Sequence, residues 1–238
     1  MSAFRHSDFE SLAYSSGRLS LAPLSFQSRD LGGNAMGPQD IFVKRVSDIV
    51  LALTFLILAG LPMLLIAAAI RLTSKGPALF RQERIGLNGD RFVMLKFRTM
   101  LNIPVTPGSC RQATRHDPRV TRVGAWLRST SCDELPQLLN VLMGSMSLVG
   151  PRPHAPGTCV GGRPFEAISH RYAGRHRVKP GMTGLAQIRG WRGETNTEEK
   201  LLCRIDSDLE YIASWSLGAD LRIIGRTIAT VLRMPNAY

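Results

Sequence analysis

The longest uncharged run in the chain constrains its fold more than any other feature. Residues Ile49 to Ile70 carry no charge, and Arg71 ends the run. A helix of about 20 apolar residues is long enough to cross the roughly 30 Å hydrocarbon layer of a membrane. Core helices of soluble domains are rarely apolar over such a length. The run therefore predicts a membrane-embedded helix.

Pro62 lies near the middle of this run, and basic residues flank both of its ends. A proline inside a helix removes a backbone hydrogen bond and clashes with the preceding turn, so we expect a break at Pro62. Lys44 and Arg45 precede the run, and Arg71 and Lys75 follow it. Because basic flanks favour the cytosol, a re-entrant helix that returns to the same face is favoured over a spanning one.

The rest of the chain divides around this segment. Residues 1–40 are rich in Ser and Gly and read as a flexible N-terminal tail, and 41–75 as the re-entrant or spanning helix. Residues 76–238 read as an interfacial domain on the cytosolic side. In that domain, residues 87–90 predict the turn of a β-hairpin, and residues 115–128 a basic amphipathic segment. Residues 198–212 and 217–232 predict two helices. The predicted fold is mostly α with a small hairpin, in a monotopic membrane-associated protein.

The charge balance indicates anionic partners. The chain has 30 Lys and Arg against 18 Asp and Glu, a formal net charge of +12. Its four cysteines form no C-x-x-C, and its five histidines form no H-E-x-x-H, so no disulfide framework or zinc site is predicted. The aromatic content of 7% includes no base-stacking pattern, which argues against a nucleic-acid partner.

The segment SCDELPQLLNVL, from Ser131 to Leu142, is the strongest candidate for chemistry. Because Pro136 is tolerated only in a first helical turn, Asp133 must lie at or next to a helix N-terminus. The positive helix end is expected to lower the pKa of Asp133 and to receive an anion. The alternative is a capping box between Ser131 and Glu134, a commoner use of acidic residues at a helix start.

Several basic residues could contact phosphate groups. They lie at the end of the second predicted strand, in the DPRVTRVG segment and between two prolines: Lys96, Arg98, Arg119, Arg122 and Arg152. Arginine suits phosphate because its guanidinium donates two parallel hydrogen bonds. For each residue alone, a surface salt bridge is the alternative.

The order of these motifs resembles the bacterial sugar transferases, the monotopic phosphoglycosyl transferases that move hexose 1-phosphate from a nucleotide-sugar to polyprenyl phosphate. The matching blocks are KRVSD from Lys44, QERIG from Gln82, KFRTM from Lys96, DPRVTRVG from Asp117, DELPQLLNVL from Asp133, MSLVGPRP from Met146, VKPGMTG from Val178 and GWRGET from Gly190. Cys132 replaces a usual Leu, and residues 155–165 depart from the pattern. The large N-terminal multi-span region of many relatives has no counterpart in these blocks.

The resemblance implies a mechanism and a location. Asp133 would be the nucleophile that attacks the β-phosphorus of a UDP-sugar, and Glu134 would hold a metal or shuttle a proton. Mg²⁺, held by Asp133 and Glu134, and the five basic residues would balance the phosphate charge. Undecaprenyl phosphate would be the acceptor, at the cytosolic face of the bacterial inner membrane. Homo-oligomer formation is left open.

The GWRGET block is similar to the form found in relatives that transfer glucose 1-phosphate, which favours UDP-glucose over UDP-galactose. The product would start an exopolysaccharide or a related surface glycan. Two alternatives stay open from the sequence. One is a non-catalytic, membrane-tethered basic binding protein. The other is a lipid phosphotransferase that works by direct displacement without a covalent intermediate.

Overall fold

The computed structural model describes residues 36–101 and 117–233. These residues are mostly helical, with three two-stranded sheets, so the predicted fold class is confirmed. The helices are α1 Pro38–Thr73, α2 Arg122–Thr130, α3 Gln137–Met143, α4 Phe165–Ile168, α5 Leu185–Ile188, α6 Glu198–Ala213 and α7 Leu217–Arg233. The strands are β1 Leu79–Ile85, β2 Arg91–Phe97, β3 Ser147–Val149, β4 Cys159–Val160, β5 Arg163–Pro164 and β6 Gly181–Thr183. Most of the predicted tail lies outside the described residues.

Helix α1 has the length and composition of a membrane helix. Its 36 residues correspond to about 54 Å of helix. Pro62 lies inside it, and the helix is continuous through that residue. The predicted break therefore does not take the form of a non-helical turn, and the re-entrant course stays a prediction. The side chains near the middle are open to their surroundings; Ile57, for example, is 80% exposed.

Both ends of α1 are attached to the residues that follow it. Near the N-terminal end, Arg45 donates hydrogen bonds to the carbonyl oxygens of Val141 (2.6 Å) and Leu142 (2.8 Å), at the C-terminal end of α3. Near the other end, Ile70 is buried in an apolar cluster with Phe97. The helix is thus held at two separated points, while the apolar stretch between them is mostly exposed.

The predicted hairpin is present. Strands β1 and β2 pair antiparallel, from Leu79 opposite Phe97 to Ile85 opposite Arg91. Asn88 in the turn has a φ of 56°, a conformation that Asn tolerates better than most residues. The hairpin matters for function because its second strand ends beside α3, where it presents Lys96.

A parallel pair of short strands brings two segments that are distant in the sequence side by side. Strand β3 pairs with β6, with Ser147 opposite Gly181. A side chain at Gly150 or Gly181 would overlap the backbone of the other segment, so this approach requires glycine at both positions. Helices α6 and α7, both predicted from the sequence, complete the core around these strands.

Candidate active site

The Asp133–Glu134 pair lies in a tight turn between two helices. Helix α2 ends at Thr130, Ser131 has a left-handed backbone with φ 59°, and Cys132–Glu134 form one turn of 3₁₀ helix. Pro136 is the N-cap of α3, so Asp133 precedes that helix as predicted. The capping box is absent, because the side chains of Ser131 and Glu134 bind other residues.

Glu134 is held by two cations. The ammonium of Lys96 donates to its Oε1 at 2.8 Å, and Arg152 donates to Oε1 at 2.5 Å and to Oε2 at 3.2 Å. Burial by itself would raise the pKa of Glu134, but the charges and hydrogen bonds of Arg152 and Lys96 outweigh it. The pKa therefore lies well below its usual range. Glu134 is a permanent anion that orients the two cations.

Asp133 has a different environment. Its side chain is buried, with 6% of the residue exposed, and no residue in the described part of the chain donates a hydrogen bond to its carboxylate. Burial, followed by the charge of Glu134, raises its pKa to about 6, although Lys96, Arg152 and Arg128 act in the opposite direction. At pH 7 the carboxylate is still mostly ionised and has free lone pairs. Such a group can act as a nucleophile.

The predicted effect of the helix end on Asp133 is wrong. The sequence predicts a lowered pKa, whereas the structure raises it. Helix α3 begins at Gln137, one full turn after Asp133, and the helix field decays within its first turn. Loss of water and the neighbouring Glu134 charge dominate instead.

The other predicted cations separate into two groups. Lys96 and Arg152 meet at the Asp133–Glu134 pair. Arg98 instead donates to the carbonyl oxygens of Ser74 and Lys75 at the end of α1. Of the two remaining candidates, Arg119 forms an ion pair with Asp117, with 2.6 Å between Nη2 and Oδ2, and Arg122 is exposed on α2. Whether any of these cations binds phosphate stays a prediction.

Two arginines near the pair were not chosen from the sequence. The charge of Arg128, at the end of α2, lowers the pKa of Asp133. Arg192 donates to the Oγ of Ser131 at 2.5 Å. The available signals were the place of Arg128 five residues before Asp133 and of Arg192 within GWRGET. With Lys96 and Arg152, Arg128 gives the site three cations around two carboxylates, and Arg192 adds a fourth at the turn before them. This surplus favours an anionic ligand.

A basic domain that carries this pair beside a membrane-length helix is typical of a membrane-associated protein, and its site has a surplus of positive charge. The model of the bacterial sugar transferase family matches residues 39–234. The chain therefore belongs to the bacterial sugar transferase family.

Similar curated proteins extend this result. An undecaprenyl-phosphate glucose phosphotransferase of Komagataeibacter xylinus is 50% identical over 200 residues, which cover 84% of this chain and 37% of the relative. A UDP-glucose:undecaprenyl-phosphate glucose-1-phosphate transferase of Klebsiella pneumoniae is 50% identical over 195 residues, 82% of this chain and 41% of the relative. The chain thus spans about two fifths of these two proteins.

A shorter relative is matched over more of its length. The UDP-glucose:undecaprenyl-phosphate glucose-1-phosphate transferase of Caulobacter vibrioides is 52% identical over 195 residues. These residues make up 82% of this chain and 72% of the relative. The region of similarity therefore accounts for most of at least one relative with this name.

Proposed function

We propose that this protein transfers glucose 1-phosphate from UDP-glucose to undecaprenyl phosphate, the first step of an exopolysaccharide or related surface glycan. One observation carries the proposal: Asp133 is a buried carboxylate to which no residue in 36–101 or 117–233 donates a hydrogen bond, and it lies next to Glu134, which Lys96 and Arg152 hold. The names of the relatives from Klebsiella pneumoniae and Caulobacter vibrioides support this donor and this acceptor.

In the first half-reaction, an oxygen of Asp133 attacks the β-phosphorus of UDP-glucose. A bond forms between this oxygen and phosphorus, and the bond from the β-phosphorus to the bridging oxygen breaks. The electron pair leaves with UMP, so the protein keeps glucose 1-phosphate as an acyl phosphate. Lys96 and Arg152 lie next to the nucleophile and would stabilise the charge that develops on the phosphoryl oxygens.

In the second half-reaction, a phosphate oxygen of undecaprenyl phosphate attacks the same phosphorus. The acyl phosphate bond breaks, its electron pair returns to Asp133, and undecaprenyl-diphospho-glucose leaves. No net proton transfer is needed, which agrees with Glu134 acting as a fixed anion rather than as an acid or base. The low pKa of Glu134 supports this division of roles.

A Mg²⁺ ion would fit one of the two carboxylates better than the other. The part of the chain that the structure describes contains no group of three or more His, Cys, Asp or Glu that could hold a metal. Mg²⁺ is commonly held by one or two carboxylates together with substrate phosphates. Asp133 has free lone pairs for this role, whereas both oxygens of Glu134 accept hydrogen bonds from Arg152. When bound, the ion would neutralise diphosphate charge.

We also propose that α1 enters the membrane and returns to the cytosolic face, so that the site lies at the level of the lipid headgroups. Attachment of both ends of α1 to the same domain supports this course, because a spanning helix would have its ends on opposite sides. Single cysteines at Ser20 and Ser214, in a background without the four native cysteines, are expected to resist a membrane-impermeant thiol reagent on intact cells. Labelling at Ser20 alone would indicate a spanning helix.

The activity can be tested with purified protein in detergent. UDP-glucose labelled in the sugar is incubated with Mg²⁺ and undecaprenyl phosphate, and the label is measured in an organic extract. We expect the label in the lipid fraction, with UMP released in equal amount. Label in lipid from UDP-galactose but not from UDP-glucose would overturn the choice of sugar, and no lipid label from either would overturn the proposed activity.

A further inference from the structure

Helix α6 has a buried charged face that makes no direct contact with the Asp133–Glu134 pair. Arg204 and Asp208 lie one turn apart on this helix, and both are buried. Charged residues are seldom fully buried unless they form ion pairs or hydrogen bonds. The hydrogen bonds of these two residues lead toward the active site along two separate routes. This inference rests on the proposed function.

The first route runs from Asp208 to Arg152. Asp208 Oδ2 accepts hydrogen bonds from Arg175 Nε (3.1 Å) and Nη2 (2.6 Å), and both side chains are only 2% exposed. Arg175 Nη2 also donates to the backbone carbonyl oxygen of Arg152 at 2.8 Å. Arg152 in turn donates two hydrogen bonds to Glu134. The buried ion pair therefore fixes the backbone from which Arg152 reaches the active site.

A buried histidine sets the direction of the Arg175 guanidinium. Arg175 Nη1 lies 2.5 Å from Nδ1 of His154, and because arginine can only donate, Nδ1 must accept. Burial and the charge of Arg175 hold the pKa of His154 well below its usual range, so the ring is neutral. Each of the two terminal nitrogens of Arg175 thus has its own acceptor. A lysine could not reproduce this divided arrangement.

The second route runs from Arg204 to the turn before Asp133. Arg204 donates to the carbonyl oxygens of Trp191 (Nε, 2.6 Å) and Gly193 (Nη2, 2.6 Å), and to the hydroxyl of Thr195. These three residues belong to the loop 190–195. Arg192 of the same loop donates to Ser131, two residues before Asp133. Arg204 therefore holds the loop that brings Arg192 to the site.

The two routes belong to one cluster of charges. Burial, followed by the charges of Arg152 and Arg175, lowers the pKa of Arg204 to about 10, while Asp208 acts in the opposite direction. Three mutually repelling arginines are kept together by carboxylates and by carbonyl oxygens of defined geometry. Burying several charges is costly unless each is hydrogen-bonded in good geometry, and such hydrogen bonds hold the side chains in fixed positions.

We propose that α6 positions both sides of the active site, with Asp208 acting through Arg175 on Arg152, and with Arg204 acting through the loop 190–195 on Arg192. Asp208, Arg175 and Arg204 are positioning residues. None of them contacts the reacting atoms. Their contribution passes through Arg152 and Arg192, and it should disappear when those arginines are removed.

A double-mutant cycle tests the first route. Arg175→Lys keeps a positive charge beside Asp208 but loses the guanidinium whose Nη2 bridges Asp208 and the Arg152 carbonyl oxygen. We expect it to slow UMP release about tenfold or more in the wild-type background, mainly in kcat, and less than about twofold in an Arg152→Ala background. Equal losses in both backgrounds would overturn the inference. The same cycle with Arg204→Lys and Arg192→Ala tests the second route.

Asp206→Asn is the matched control on the same helix. Asp206 pairs with Arg171 on the exposed side of α6, so this variant is expected to keep wild-type kcat and KM. Asp208→Asn should lower kcat while leaving KM for UDP-glucose within about threefold, because it affects geometry and not ground-state binding. A loss confined to KM would contradict the positioning role.

Hydrogen exchange separates this inference from the proposed function. In Arg175→Lys, the backbone amides of Gly150, Arg152 and residues 131–134 are expected to exchange faster than in the wild type, whereas those in the hairpin are unchanged. If the wild type released no UMP, the proposed function would fail while this exchange pattern could still hold. Unchanged exchange in both segments would overturn the positioning of the site by α6.

Discussion

Two buried groups of charges in this protein have similar members and different hydrogen bonding. At the foot of α1, Lys44 pairs with Asp220 at 2.8 Å and with Asp48 at 3.4 Å; we call these three residues the foot cluster. The active site likewise has two carboxylates, Asp133 and Glu134, beside a lysine. Both groups are largely removed from water, so their differences reflect their partners and not their exposure.

Every carboxylate of the foot cluster has several donors. Asp48 also accepts from the backbone N–H of Leu148 at 3.0 Å. Asp220 also accepts from Tyr211 at 2.8 Å and from Trp215 at 3.2 Å. In the active site Glu134 is satisfied in the same way, whereas Asp133 accepts no hydrogen bond from the residues that the structure describes. A fully bonded buried carboxylate stabilises structure, whereas an unbonded one is destabilised as an anion and available for reaction.

The largest expected effect is on catalysis. Asp133→Asn keeps the shape of the side chain but removes the nucleophile, so UMP release should fall by at least about 10⁴-fold, roughly 5 kcal/mol of barrier. The measurement is UMP release by the variant beside Asp206→Asn, which should match the wild type. Retention of more than about a tenth of the wild-type rate would refute the assignment of Asp133.

The corresponding change in the foot cluster should act on stability. Asp220→Asn leaves Lys44 with a weaker partner in a buried position, which should cost about 3 kcal/mol of unfolding free energy. Denaturant unfolding in detergent measures this loss, and the rate per folded molecule should stay close to that of the wild type. If Asp220→Asn unfolds at the same denaturant concentration as the wild type but is inactive, the assignment of a structural role to the foot cluster is wrong.

Asp133→Asn should stabilise the protein. The pKa of Asp133 rises from 3.8 to about 6 on folding, so its contribution to stability is fully present below 3.8 and is lost as pH rises through 6. An amide cannot ionise, and the variant should gain about 3 kcal/mol at pH 8 and only about 0.5 kcal/mol near pH 4. Unfolding at both pH values, with a chelator to exclude metal, tests this. A loss of stability at pH 8 would mean that the Asp133 carboxylate is stabilised in the folded protein by hydrogen bonds or ion pairs, and would contradict the prediction.

The smallest effect is the pH dependence of the rate. Since the nucleophile must be ionised, kcat/KM should fall about tenfold per pH unit below about pH 6. The decline should come from Asp133 and not from Glu134, whose pKa lies well below its usual range. Initial rates from pH 5 to 8, corrected for enzyme stability, provide the test. A flat profile down to pH 5 would contradict the raised pKa.

Local patterns in the sequence were sufficient to predict the membrane helix, the hairpin and the two C-terminal helices. Each depends on periodicity, composition or turn chemistry within a short segment. Pro136 likewise predicted the place of Asp133 before α3. The meeting of Lys96 with Glu134 was anticipated only as a shared site, since the two residues are 38 positions apart.

The electrostatics of the site could not be read in this way. The pKa of Asp133 depends on burial and on the balance between the charge of Glu134 and the nearby cations, which only the folded chain determines. Arg98 shows the same limit: it stands two residues after Lys96, yet its guanidinium binds the end of α1 instead of the active site. The hydrogen bonds of Asp208 with Arg175 and of Arg204 with the loop 190–195 also join segments that are distant in the sequence.

The most direct test of the central claim is the intact mass of the protein after incubation with UDP-glucose and Mg²⁺, without undecaprenyl phosphate. We expect the mass to increase by one hexose phosphate, with UMP released, and the adduct to map to Asp133 in a peptide digest. Addition of undecaprenyl phosphate should then restore the original mass. An unmodified protein that releases UMP only when the lipid acceptor is present would contradict the covalent mechanism and favour direct displacement.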